Sequence, residues 1–393
     1  MNRRESKSFK NAGSSRYAEA LRTAGARRMV VVVSLILVFT AAPQMAGKGT
    51  RAAPVTEALP DRVETQNPGT RNPTDVVSGE WGALEIRGKS VPPGQAQKIT
   101  FALVRTFAGA FLDTPLLVVR GAQPGPTLCV VAGIHGDELN GVEIAYRVFY
   151  DVKPETLSGT LIIVPMANAA GFRSGSRYLP DRRDLNRCFP GSQTGSLGSL
   201  VAHILFETVI RQSDVLIDLH TGSASRTNLP QIRTDVDNPA ALDLAESFGI
   251  GVVLHGLGPK GSLRRAALDI GIPAVIYEAG EPLRFQENEI AAGANGVRNV
   301  MRNLGMITRA EKLEPRAQFY RKTRWVRAAS HGGIFLTSRV PGENVSKGEL
   351  LGVITDPISD EREEILSPAD GKIIGMAVPQ IVLPGYGLFH LGL

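Results

Sequence analysis

The sequence predicts an α/β fold in which a mixed, mostly parallel sheet is flanked by helices and followed by a C-terminal all-β module of barrel-sandwich type. Three observations predict it. Short β-rich runs alternate with helix-periodic stretches through the middle of the chain, and three of those runs end on residues able to bind a metal or carry a proton. After about Pro315 the helical pattern stops, while short strands and Gly/Pro turns continue. With 393 residues and 43% hydrophobic content, the chain can bury one large domain and a smaller one.

Residues 1–46 read as a leader: basic residues up to Arg27 and Arg28, the apolar run "MVVVVSLILVFTAA" over 29–42, then small residues around Ala41, Ala42 and Ala46. The run is shorter than the roughly 18 to 20 residues of a stable spanning helix. The expectation is export, to the periplasm, with cleavage between Ala42 and Ala46. An uncleaved inner-membrane anchor over 29–42 is the alternative, because the charged stretch before it is long. No cysteine follows the run, which argues against a lipid anchor. Residues 1–42 carry eight basic and two acidic side chains, a surplus equal to the whole chain's +6, and the other 36 basic and 36 acidic residues cancel. The body therefore gives no electrostatic reason to expect nucleic acid.

Residues 47–95, rich in Pro, Thr, Asn and Gly at first, read as a flexible linker that runs into the first strands. From 96 to 314 the α/β rhythm holds. "ITFALVRTF", "PLLVV" and "TLCVVAG" read as strands, and "ELNGVEIAYRVF" as a helix with Leu139, Val142, Ala145 or Tyr146, and Phe149 on one face. There follow the strand "TLIIVP", a helix through "SLVAHILFETVIRQ", the strand "DVLIDL", a helix near "PAALDLAESF", the strand "AVIYEAG" and a long helix from about Glu287 to Leu304. Residues 315–393 form the β module. Cys129, inside an apolar strand, and Cys188, in a polar loop, are expected to be free thiols.

In such sheets chemistry gathers at the carboxyl ends of the strands. His135 follows "TLCVVAGI", His220 follows "DVLIDL" and Glu278 follows "AVIY". The turn "HGDE" lets His135 and Glu138 face one ion, and Glu138 opens a helix, where negative charge is favoured. Two imidazoles and a carboxylate with one open position are the ligand set of a catalytic zinc site. Taken singly, a strand-end histidine is more often structural; it is the set, in order in one domain, that carries weight. The segment "SRYLPDRRDLNRCFPG" adds Arg177, Arg182, Arg183 and Arg187 with Asp184 and Asn186. A solvated basic loop is the bland reading, but the adjacent amide and guanidinium of "DLNR" suit a substrate carboxylate.

The motifs "GIHGDELNG", "DLNRCFPG", "DLHTG" and "YEAGEP", in this order and spacing, resemble the succinylglutamate desuccinylase/aspartoacylase family, a branch of the zinc carboxypeptidase-like (M14-type) fold. The resemblance covers about Phe101 to Leu304 and extends to the β module. It implies His135, Glu138 and His220 as ligands of one Zn²⁺ per chain, and Glu278 as the carboxylate that moves protons. It also implies Arg177 as the group that polarises the scissile carbonyl, and Asn186 and Arg187 as holders of the substrate's carboxylate. One departure is that Asn168 and Ala169 precede Gly171 and Phe172 where relatives commonly have Asn-Pro, so a different loop path is expected there. The expected activity is a zinc-dependent amidohydrolase of deacylase type that removes an acyl group from an N-acyl amino acid or related small amide; an ester is the variant bond. Alternatives are an exported carboxypeptidase-like enzyme acting on cell-wall or other peptides, and a non-catalytic binding protein on the same scaffold.

Asp218, two residues before His220 and on the same strand face, is placed either to fix that imidazole's tautomer or as an ordinary buried acid. His203, His255, His331 and His390 are assigned no metal, and Glu281 is read as a loop charge. In the β module "PGENVSKGELLGVI" and "ILSPADGKIIGMAV" resemble the half-barrels of a lipoyl or biotinyl carrier, but the hairpin "TDPISDEREE" has no lysine and Lys372 lies too far on. The module is expected instead to pack against the catalytic domain, restricting access to its pocket or supporting assembly, and the sequence leaves room for a homo-oligomer. The membrane enters only through an uncleaved leader.

Overall fold

The computed structural model describes residues 81–105, 111–308, 317–329 and 332–393, all in one compact unit. The leader, the linker as far as residue 80, and His331 lie outside the described residues. Among the described residues no helix is long and apolar enough to cross a membrane.

A small hairpin, β1 (Leu84–Ile86) and β2 (Lys89–Val91), precedes the main sheet. That sheet takes β3 (Gln95–Arg105), β4 (Phe111–Arg120), β5 (Gln123–Ala132), β6 (Ser158–Val164), β7 (Val215–His220), β8 (Arg226–Thr234), β9 (Val252–His255) and β10 (Ala274–Gly280). Its centre, in the order β6-β5-β7-β10, is parallel. Antiparallel β4 and β3 extend one side, and antiparallel β8 the other. This is the mixed, mostly parallel sheet the alternation of segments predicts. The central strands are apolar throughout because both faces are covered. In β5, Val130 faces one core with Leu219 and Val275, while Val131 faces the other with Leu216 and Ala274.

Among the described residues six α-helices flank it: α1 (Asn140–Asp151), α2 (Ala169–Ser174), α3 (Leu197–Thr208), α4 (Pro239–Phe248), α5 (Leu263–Asp269) and α6 (Glu287–Asn303). Local chemistry sets their ends. Asn238 caps α4 through the Ala241 N–H, Pro239 takes the first turn and Gly249 closes it in the left-handed region. Helix α6 carries Glu287 and Glu289 in its first turn and Arg302 in its last, matching the helix dipole. Helix α1 starts at Asn140 rather than Glu138, which stays in the preceding turn with its side chain free to point at the site. Asn168 caps α2, accepting from Gly171 N at 2.8 Å. Ala169 is therefore the first helical residue, a place proline also occupies well, so the departure at this position asks for no new loop path.

The C-terminal strands are β11 (Gln318–Tyr320), β12 (Thr323–Arg327), β13 (Gly333–Leu336), β14 (Asn344–Val345), β15 (Leu350–Thr355), β16 (Arg362–Leu366), β17 (Gly371–Ala377), β18 (Gln380–Val382) and β19 (Gly387–Gly392). They enclose a core of their own around Phe335, Phe389 and Leu391. They also continue the main sheet, since β17 pairs with β8 over Arg226–Asn228, followed by β19 and β12, and β11 pairs with β9. Pairing with β17 covers backbone groups that the edge of β8 would otherwise leave unmet. Lys372 lies within β17 and donates to Gly342 O, so it is not presented as a carrier lysine would be.

Candidate functional site

The strand ends converge as parallel pairing requires. Residue 278 of β10 is in register with His220 of β7, and β7 neighbours β5, which ends three residues before His135. Partners in register point their side chains to the same face. The turn 133–139 completes the approach. Gly133 takes φ +60°, and Gly136 packs so tightly on Gly171 that a β-carbon would lie 2.0 Å from its carbonyl carbon.

Glu138 sits at the centre. Its Oε1 is 2.7 Å from His135 Nδ1 and its Oε2 is 2.8 Å from His220 Nδ1, with Thr221 N–H donating to Oε2 at 3.1 Å. All three side chains are buried, and one donor atom from each lies within 4.8 Å of the others. Burial by itself would push the Glu138 carboxyl up, but the two imidazoles outweigh it and hold it below the usual carboxylate range. Burial likewise works to lower both histidines, yet Glu138 with Asp184 raises His135, and Asp218 with Glu138 raises His220 well above its ordinary value.

The donor set fits a divalent metal. Tetrahedral donors at ordinary zinc bond lengths stand about 3.4 Å apart, so the 2.7 and 2.8 Å contacts would open by about 0.6 to 0.7 Å around an ion. Both rings turn Nδ1 to the shared point, and each Nε2 faces a carboxylate. Asp184 Oδ1 is 3.1 Å from His135 Nε2, and Asp218 Oδ1 is 2.9 Å from His220 Nε2, the latter near enough for an ion pair though not directed as a hydrogen bond. Carboxylates behind ligating imidazoles fix tautomer and ring orientation.

Beside these residues lies a cavity of about 220 Å³. Arg177 reaches into it, pairing through Nη1 with Glu138 Oε1 at 3.2 Å and through Nη2 with Asp184 Oδ2 at 2.8 Å. Asn186 and Arg187 line it too. The Asn186 Oδ1 accepts from Leu263 N at 2.9 Å, which leaves its amide N–H groups for the cavity, and Arg187 Nη1 donates to Asn186 O at 2.6 Å. Glu278 faces the same space, its Oε2 accepting from Asn228 Nδ2 at 2.7 Å and its Oε1 2.9 Å from Arg233 Nη1. The residues to which the family resemblance assigns roles thus meet at one cavity: the three candidate metal ligands, Glu278, Arg177, Asn186 and Arg187; Arg182 and Arg183 of the same basic segment are not in its lining, and Arg183 pairs with Asp181 instead.

Sequence reasoning gave no role to Asp184, which bridges His135 and Arg177, and passed over Arg226, Asn228, Arg233, Arg264 and Trp325, which line the cavity. Three of these stand on β8, where "RTNLPQIRT" breaks strict alternation: Asn228 pairs with Gly280 and Gln231 with Glu278, one residue extra on β8. This bulge puts Asn228 and Arg233, an odd number apart, on one face. Arg264 is buried with its Nη1 on Gly256 O at 2.7 Å and its Nε unmet. Burial, reinforced by nearby Arg233, pulls its pKa down to about 10.

Of the remaining histidines, His255 lies 3.8 Å from Asp235 and 3.7 Å from Asp237, and Arg321 also pairs with Asp237. His390 is buried and stacks flat on Trp325, with ring centroids 4.4 Å apart. Both cysteines are free.

Residues 124–304 match the succinylglutamate desuccinylase/aspartoacylase catalytic domain. The N-alpha-acetyl-L-2,4-diaminobutyric acid deacetylase of Halomonas elongata is 26% identical over 254 residues, 62% of this chain and 74% of that protein. A succinylglutamate desuccinylase of Burkholderia mallei is 27% identical over 232 residues, covering 53% of this chain and 64% of its own length. A succinylglutamate desuccinylase/aspartoacylase of Rhodobacter sphaeroides superposes with a TM-score of 0.67 at 27% identity, over 76% of this chain and 94% of the other. The product-bound ectoine utilization protein EutE of Ruegeria pomeroyi shares the fold, with a TM-score of 0.70 at 23% identity over 77% and 97%.

Proposed function

We propose that this chain, whose residues 124–304 belong to the succinylglutamate desuccinylase/aspartoacylase family, is a zinc-dependent amidohydrolase that removes an acyl group from an N-acyl amino acid or related small amide. The observation that carries the proposal is the convergence of His135 Nδ1, His220 Nδ1 and both Glu138 oxygens at the wall of a cavity that also holds Glu278 and Arg177. Zinc bound by these three side chains supplies a water of lowered pKa and a Lewis acid for the carbonyl.

The chain's own groups do the rest. Glu278 takes the proton from the attacking water at a carboxylate oxygen and returns it to the departing nitrogen, general base and then general acid in one group. Arg233 and Asn228 fix the plane of that carboxylate. Arg177, tethered by Asp184, presents its guanidinium to the carbonyl oxygen and stabilises the negative charge that develops there. Asn186 and Arg187 bind the carboxylate of the amino-acid part and hold the amide in place, so that the reaction gains from orientation as well as charge.

A panel of N-acyl amino acids, offered to zinc-loaded and to chelator-treated protein, tests this reading. Turnover of at least one member, abolished by chelation and restored by zinc, is the expected result. No turnover on any member with metal bound would refute it. The leader supports a periplasmic place of action; recovery of unprocessed chain in the cytosolic fraction alone would contradict that.

A further inference from the structure

Arg226 is held by an arrangement that positioning the fold does not require. It follows two consecutive non-glycine residues in the left-handed region, Ala224 at φ 51° and Ser225 at φ 55°. Such backbone persists only where its surroundings enforce it, and it collects at functional sites. The segments that join and flank the last C-terminal strands do the enforcing: Val378 N and Gln380 Nε2 donate to Ser225 O, and the Tyr386 hydroxyl donates to Ala224 O. The guanidinium then lies between two rings, 5.3 Å from the Trp325 centroid and 4.6 Å from that of Tyr386. Its Nε donates to Gly387 O at 3.2 Å and its Nη1 reaches Ser223 O at 3.4 Å. Trp325 is backed by His390, and a β-carbon at residue 387 would come within 2.9 Å of the indole.

The charge so held has no carboxylate partner among the described residues, whereas Arg177 pairs with Glu138 and Asp184, and Arg233 with Glu278. Arg226 nevertheless lines the cavity. A guanidinium fixed by aromatic faces and carbonyls, with donors left over and no counter-charge, is built to receive a planar anion. Its place is informative. The strands β5, β7, β10 and β8 are successive neighbours, so the cavity wall runs from His135 past His220 and Glu278 to Arg226. Asn186 and Arg187 belong to a separate element, the loop that Asp184 ties to His135, so Arg226 on β8 offers a second place for an anion in the same cavity.

We infer that Arg226, clamped by Trp325 of β12 and by Tyr386 just before β19, is a specificity residue that binds a carboxylate on the acyl arm of the substrate. The inference rests on the deacylase reading for which arm this is; the anion site itself does not. The C-terminal strands thereby complete the substrate pocket as well as flanking it.

Calorimetric titration of the zinc-loaded full-length chain with succinate and with succinamate, its mono-amide, reads the site without turnover. Wild type is expected to bind succinate about tenfold more tightly, the scale of one charge-assisted contact. In Arg226→Gln and in Trp325→Leu the two affinities are expected to converge to within about twofold, with melting temperature and zinc content checking that each variant is folded. Equal affinities in wild type, or a difference that survives Arg226→Gln, would overturn the assignment. A chain that separates the two acids yet hydrolyses no N-acyl amino acid would keep this site and lose the deacylase reading.

Discussion

Replacing Asp184 by asparagine probes the least obvious joint of the site. The carboxylate accepts at one oxygen from Asn186 N at 2.9 Å and faces His135 Nε2 at 3.1 Å, and at the other it pairs with Arg177 Nη2 at 2.8 Å. An amide of the same shape keeps one acceptor and turns N–H groups towards a partner that is itself a donor. Each charge-assisted contact that becomes neutral or repulsive weakens by about 1.5 kcal/mol. Loss of the carboxylate behind His135 should therefore reduce zinc affinity by roughly 10- to 100-fold. Loosening of Arg177 should lower kcat by about tenfold even when zinc is saturating, since that arginine acts on charge formed in the transition state. Competition with a chelating indicator reads the first effect, and turnover at saturating zinc the second. If Asp184→Asn bound zinc within about threefold of wild type and kept its kcat, the bridging role assigned to Asp184 would be wrong.

Further tests address separate parts of the site. Glu278→Gln keeps the contact to Asn228 but cannot carry the proton; kcat should fall by about 10²- to 10⁴-fold with zinc content unchanged, and a variant as active as wild type would remove Glu278 from the chemistry. His390 is buried, and burial together with Arg233 lowers its pKa to about 3. Its folded pKa is below the unfolded value, so the unfolded chain binds the extra proton and stability is lost as pH falls below about 6.5. Between pH 6.5 and 4.5 wild type should lose about 2 kcal/mol more than His390→Phe, read by urea unfolding at both pH values; parallel losses in the two proteins would show that His390 takes no part.

Much of this was legible in the sequence because strand ends have a local signature. Apolar runs closing on His220 and Glu278 mark buried parallel strands whose next residues must face one edge, and "GIHGDE" places a histidine and a glutamate on one turn. The helix near "PAALDLAESF" was readable as a segment, and the structure begins it at Pro239 with Asn238 as its cap. What escaped depends on contacts between distant segments. Strand β8 alternates its face across a bulge that only its pairing with β10 reveals, and nothing near Arg226 in sequence points to Trp325 or Tyr386, about 100 and 160 positions on. The continuity of β8 with β17 was hidden for the same reason, since pairing between remote strands leaves no periodic trace. Asp184 lay in a quoted motif, but its bridge from His135 to Arg177 exists only once the loop is folded against the turn 133–139.

Everything proposed for the site depends on His135, Glu138 and His220 gripping one ion. Elemental analysis of purified protein after zinc loading and removal of free metal measures it directly, in wild type and in a His135→Ala, His220→Ala double variant. Close to one zinc per chain is expected in wild type and almost none in the variant. An equivalent of zinc retained without either imidazole, or a folded wild-type chain that holds none, would contradict it.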